Sequence, residues 1–169
     1  FKIGKQFPED LWNQALAALA VIEEKTGKRF GNPENPLLVS VRSGAKFSMP
    51  GMMDTVLNVG LNPQTLEGIA RLTNNERFAW DAYRRLIQMF GKTVKGIEGR
   101  KFEHILDKYK AKTAGKQDTD LTVDMLKKVA VDFQALYKKA LGVEYPDNMH
   151  GQMLQAIVAE FSSCSGKCS

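Results

Sequence analysis

Several absences narrow the reading before any motif is considered. The 169 residues include only two cysteines, Cys164 and Cys168, both in the closing SSCSGKCS. A pair this close, at one end, cannot be the cross-linking framework of a small secreted domain. The two histidines, His104 and His150, lie in unrelated segments, so no metal site is expected and the thiols read as free groups on a frayed end. Neither histidine has a nucleophile or an orienting carboxylate near it in sequence. Both therefore read as surface residues, and no catalytic residue is expected in this chain. No stretch approaches the ~20 apolar residues of a membrane-crossing helix, and the opening FKIGKQFPED lacks the apolar run of a signal peptide. A soluble intracellular protein is expected, with no membrane partner. A phosphate loop of the GxxxxGK(S/T) type is also missing, as is a GxGxxG after a strand, so any nucleotide would be held by another design.

What is present is ordinary globular material. With 43% hydrophobic and 25% charged residues, the chain is long enough for one domain with a sizeable core. The net charge of +5 and pI near 9.2 could favour an anionic partner. Lysine and arginine are, however, scattered over helical segments that also carry glutamate and aspartate. That pattern reads as solvated helix faces rather than a nucleic-acid surface.

Near the start, DLWNQALAALAVIEEKTGK places Leu11, Trp12, Ala15, Leu16, Leu19 and Ile22 on one side at helical spacing, with Gly27 as a terminator. GNPENP breaks this pattern and leads into LLVSV, an apolar run suited to a buried strand. RSGAKFSMPGMMD is too rich in glycine, proline and small polar residues for a regular element, and TVLNV returns to strand-like alternation. Leu37 to Val59 thus reads as strand, long loop, strand. From Pro63 the period becomes helical, with segments beginning near Pro63, Asn75, Gly99, Thr122 and Asn148. Thr122 is an expected N-cap and Gly142 an expected stop, and AKTAGKQDTD is a loop between helices. The expected class is α+β and predominantly helical: a core part at 1–61, a helical part at 62–146, and a return helix with tail at 147–169. Two strands are few for an independent sheet, so the chain is expected to be an excerpt of a larger domain.

Arg42 follows the strand run directly, so a rigid element delivers its guanidinium to a strand's C-terminal edge. Its planar fork of donors matches phosphate oxygens, while Ser43 adds a hydroxyl and Gly44 lets backbone approach a ligand. A surface arginine paired with a carboxylate is the alternative. The stretch Ser48 to Met53, with Met49, Gly51 and Met52, could be a mobile cover over a flat ligand, but on the residues alone methionines filling gaps in the core are the favoured reading. Asp54 and Thr55 close this loop and could simply satisfy turn backbone. In NERFAWDAYRRLIQMFG the apolar stripe is Ala79, Ala82, Tyr83, Leu86, Ile87 and Phe90. Arg85 falls at the margin of that stripe, whereas Arg84 falls with Asp81 and Gln88 on the outer face. If either arginine reaches a buried anion, Arg85 is the expected one, unless it is a boundary residue extending to solvent.

LLVSVRSGAKFSMPGMMDTVLNVGLN resembles the signature of the nucleotide-binding domain of the pyruvate, phosphate dikinase family. The resemblance continues through NERFAWDAYRRLIQMFG and DTDLTVDMLKKVA to about Phe161. It implies part of an ATP-grasp domain that holds ATP and Mg2+ between subdomains and passes the β-phosphoryl group to a histidine on a separate swivelling domain. That phosphohistidine then phosphorylates pyruvate in a third domain. Overall, ATP, phosphate and pyruvate would give phosphoenolpyruvate, AMP and pyrophosphate. It implies contact of Arg42 and Arg85 with the ATP phosphates, and a nucleotide-facing loop that includes Ser43, Gly44, Met49, Gly51, Met52, Asp54 and Thr55. The family's Gly-rich segment with its lysine would precede Phe1, and its metal-holding acids would follow Ser169. The isolated chain is therefore expected to be inactive and to hold no cofactor tightly. The implied partners are ATP and the remaining domains of the same enzyme, as a homodimer in the cytoplasm, a plastid or a glycosome. At the end, SSCSGKCS departs from the family pattern, with cysteines where a tryptophan and an arginine are expected. The alternatives are an ATP-binding fragment of a related dikinase such as phosphoenolpyruvate synthase, and a non-catalytic basic helical interaction module.

Overall fold

A computed structural model of the chain describes residues 9–42 and 54–165. The loop residues Ser43, Gly44, Met49, Gly51 and Met52, together with Cys168, lie outside them. Helix α1 (Glu9–Thr26) turns its Trp12, Leu16 and Leu19 to the core and stops at Gly27, whose φ of 67° suits a residue without a Cβ. Two short strands follow, β1 (Arg29–Phe30) and β2 (Pro36–Leu37), paired in parallel with Phe30 opposite Leu37. The run LLVSV is accordingly divided. Leu37 ends one pair, and Val39–Val41 (β3) joins a second, antiparallel pair with β4 (Val56–Val59). The expected strand, loop, strand is thus observed at its two ends, and the division at Leu38 reflects a second partner, β1, that no alternation in the sequence marks.

The helical segments begin where their caps lie. In α2 (Pro63–Thr73), the Asn62 side chain accepts from the Thr65 amide at 2.9 Å while the Thr65 hydroxyl accepts from the Asn62 amide, with Pro63 in the first turn. Asn74, with φ of 47°, ends α2, and Asn75 starts α3 (Glu76–Met89) by accepting from the Phe78 amide. A π-helical turn, Phe90–Val94, extends α3 before α4 (Gly99–Lys110). After a short 3-10 turn at Asp118–Asp120, Thr122 caps α5 (Val123–Leu141) and Gly142 closes it. Helix α6 (Met149–Ser165) returns to β3 and β4.

One hydrophobic core runs through all of this, from Leu19 and Leu37 through Val56, Leu86 and Phe133 to Ala156. Phe102 meets Phe133 edge-to-face at 5.0 Å, joining α4 to α5. Tyr145, also buried, has its ring edge-to-face with Phe90, Tyr137 and Tyr83. Where α2 enters and α6 leaves, the chain is tied to itself. Gln152 Nε2 donates to the carbonyls of Leu61 (3.2 Å) and Pro146 (2.7 Å), and Asn62 Nδ2 donates to the Asp147 carbonyl (3.3 Å).

Gly68 marks the closest backbone approach. A Cβ there would collide with the Pro33 carbonyl of the segment leading into β2. Because the obstacle is backbone, it cannot rotate aside. Gly68→Ala is expected to lower stability by about 2–3 kcal/mol, the cost of forcing a well-packed contact apart. Urea denaturation checks this: an unchanged midpoint would show that α2 and the 31–36 segment separate without cost.

Candidate phosphate-binding site

The β3–β4 register places Val41 opposite Val56, so Arg42 and Thr55 flank the same end of the hairpin. Arg42 is exposed there, immediately past the strand, as its position in the sequence suggests. Asp54 is also exposed and pairs with Lys92 at 3.2 Å, in the π-helical turn that extends α3. This ion pair ties the residues that lead into β4 to the far end of α3, which itself packs on β4.

Arg85 lies on α3 seven residues before Lys92, roughly 10 Å along the axis at helical rise. Its side chain is 55% exposed, with Nε 2.9 Å from Asp81 Oδ2. Arg84 is the opposite case and corrects the sequence reading that placed it on the outer face with Asp81 and Gln88. Its side chain is only 3% exposed. Nε and Nη2 approach Asp81 Oδ1 at 2.8 and 2.7 Å, and Nη2 approaches Asp118 Oδ2 at 2.6 Å. The cause is the connection after α4, which folds over the polar side of α3. About two α3 turns earlier on the same side, Arg77 donates to the carbonyls of Leu121 (2.9 Å) and Asp118 (2.6 Å). Burial alone would raise the Asp118 carboxyl, but the Arg84 hydrogen bond and charge, with Lys110 beside them, outweigh it and hold it below the ordinary range. Two arginines two turns apart thus clamp one aspartate, through its carbonyl and through its carboxylate.

Sequence reasoning missed Arg77, Arg84, Asp81 and Asp118 as one cluster. The available signal was the polar series Arg77, Asp81, Arg84 and Gln88 at i, i+4, i+7 and i+11. Such a series describes a solvated face equally well unless a distant acid is known to meet it. Both histidines are exposed as expected, with His150 edge-on to the Phe30 ring at 5.2 Å. Among the described residues no three histidine, cysteine, aspartate or glutamate side chains gather as a metal site, and no helix is long and apolar enough to cross a membrane.

Residues 3–158 match the family model for the pyruvate phosphate dikinase AMP/ATP-binding domain. Among curated relatives, the chain is 48% identical over 164 residues to a pyruvate, phosphate dikinase of Clostridium symbiosum, covering 96% of this chain and 19% of that protein. It is 48% identical over 157 residues to that of Giardia intestinalis, covering 93% and 18%. It is 46% identical over 160 residues to a chloroplastic enzyme of the same name from Arabidopsis thaliana, covering 95% and 16%. The chain therefore spans less than a fifth of the length of these relatives. With the match running through both arginine-bearing elements and nearly end to end, the chain belongs to the pyruvate phosphate dikinase AMP/ATP-binding domain family.

Proposed function

We propose that this chain is the phosphate-gripping part of the ATP site of a pyruvate, phosphate dikinase of ATP-grasp architecture. In the whole enzyme, ATP, phosphate and pyruvate give phosphoenolpyruvate, AMP and pyrophosphate through a phosphohistidine on another domain. The observation that carries the reading is the contrast within one dipeptide. Arg84 is buried and held between two carboxylates, while Arg85 stays exposed on a helix packed against the hairpin that presents Arg42. Two exposed guanidinium groups on rigid elements suit a polyphosphate. Positioned cations are the main means by which proteins assist phosphoryl transfer, since little covalent work falls to the protein.

Residues 43–53, with Asp54 and Thr55 after them, would form the loop over the nucleotide, and the Asp54–Lys92 pair would fix its C-terminal end. Mg2+ is expected to accompany the nucleotide. The described residues gather no carboxylate set for it, and we assign it no ligand in this chain. The partners are then ATP and the other domains of the same enzyme, in a homodimer. Against the interaction-module alternative, Lys92, Lys110, Lys127 and Lys138 each meet an acid, so these four positive charges are offset where they stand.

The test uses the full-length enzyme with Arg85→Ala. ATP-driven phosphorylation of the catalytic histidine should lose about thirtyfold in kcat/KM, the effect of removing one charged hydrogen-bonding group from a phosphate site. Exchange between phosphoenolpyruvate and pyruvate should be unchanged. Unaltered ATP-driven rates would remove Arg85 from the site.

A further inference from the structure

Asp81 is shared between the two arginines. Its Oδ1 receives the buried Arg84 guanidinium at 2.7–2.8 Å, and its Oδ2 stands 2.9 Å from Nε of the exposed Arg85. Arg84 is itself fixed from the other side by Asp118 at 2.6 Å, in the connection between α4 and α5, with Gln88 at 3.5 Å. The carboxylate of Asp81, 15% exposed, therefore cannot turn without breaking contacts to a buried arginine. The orientation of Oδ2 is imposed from behind.

We propose that Asp81 is a positioning residue for Arg85, holding it by Nε so that its two terminal nitrogens are kept for the phosphate groups of the nucleotide. This deepens the proposed function and rests on its assignment of Arg85 to the ATP site. Three physical points support it. An arginine held at Nε retains its two η-nitrogens, which can still form the paired donor fork that matches phosphate oxygens. A long exposed side chain loses rotamer freedom when it binds, and a preformed contact removes part of that loss beforehand. A carboxylate near a phosphate would ordinarily repel it, but Asp81 faces the buried Arg84 as well as Arg85, so its negative charge is not set against Arg85 alone. The spacing, acid four residues before base on one helix, is also the favourable order for such a pair.

The experiment is a double-mutant cycle in the full-length enzyme, read as kcat/KM for ATP-driven phosphorylation of the catalytic histidine, with phosphoenolpyruvate–pyruvate exchange as the internal control. Asp81→Asn should lower the ATP-driven step about tenfold when Arg85 is present and less than about twofold in the Arg85→Ala background, because the two act as one unit. Asp118→Asn removes the other carboxylate on Arg84 without touching Arg85. It should lower the denaturation midpoint and cost the ATP-driven step clearly less than Asp81→Asn does, because Arg84 keeps its two contacts to Asp81. Equal losses from Asp81→Asn in both backgrounds would overturn the positioning role while leaving Arg85 in the site. A loss from Asp118→Asn as large as that from Asp81→Asn would also overturn it, since the direct contact between Asp81 and Arg85 would then account for none of the effect. An Arg85→Ala enzyme with normal ATP-driven rates would instead overturn the underlying assignment.

Discussion

Arg42→Ala in the full-length enzyme is expected to reduce ATP-driven phosphorylation of the catalytic histidine by about 10² to 10³-fold, the range seen when a preorganised charge donor is removed from a reacting centre. Exchange between phosphoenolpyruvate and pyruvate should continue at its normal rate. The effect should exceed that of Arg85→Ala because of what each arginine stands on. Arg42 is the first residue past a paired strand whose last residue, Val41, stands opposite Val56, so the sheet fixes the backbone that leads into it. Among the described residues no carboxylate pairs with Arg42, whereas Arg85 is held by Asp81. Arg42→Lys should recover little, because an ammonium group cannot offer the planar pair of donors. Rapid-quench measurement of the phosphoenzyme, started separately from ATP and from phosphoenolpyruvate, distinguishes the outcomes. Equal slowing of both half-reactions would point to a general loss of structure.

The second large effect concerns stability. Arg84→Ala should cost about 2–4 kcal/mol, somewhat below the usual penalty for breaking a buried ion pair. The discount has a structural reason: Asp81 keeps Arg85 and Asp118 keeps Lys110, so neither acid is left entirely alone. The remaining loss comes from unpairing the connection between α4 and α5 from the side of α3, and from the volume vacated by a side chain 3% exposed. Urea denaturation followed by tryptophan fluorescence suits the measurement, since Trp80 lies one turn from Arg84. Arg84→Met separates the terms. It restores the aliphatic stem without the charge, and it should recover part of the loss. A midpoint unchanged in Arg84→Ala would mean that the clamp on Asp118 contributes nothing.

The helices were legible because their boundaries are chemical. Asn62, Asn75 and Thr122 cap by hydrogen bonds to residues three positions on, and Gly27 and Gly142 stop by backbone conformation, all of which is local. Arg42 was legible for the same reason, being adjacent to its strand. The pairing of Arg29–Phe30 with Pro36–Leu37 was not, since two-residue strands have no periodicity to detect. Nor was the burial of Arg84. A helical wheel ranks faces by the apolar stripe alone, and the polar face at Arg77, Asp81, Arg84 and Gln88 is covered by a segment more than thirty residues later in the chain. The roles of Ser43, Gly44, Met49, Gly51 and Met52 fall outside the described residues, and for them the family resemblance remains the only guide.

The bonds of Gln152 to Leu61 and Pro146, and of Asn62 to Asp147, bring the departure and the return of the long helical excursion to one point. An excursion that begins and ends at the same place has no net span. Whole turns could be added to α4 or α5, or residues to the connection between them, without altering the separation of the segments on either side. The hairpin that carries Arg42 and the helix that carries Arg85 stand outside those variable stretches. Length can therefore change within the excursion while the distance between the two guanidinium groups is preserved.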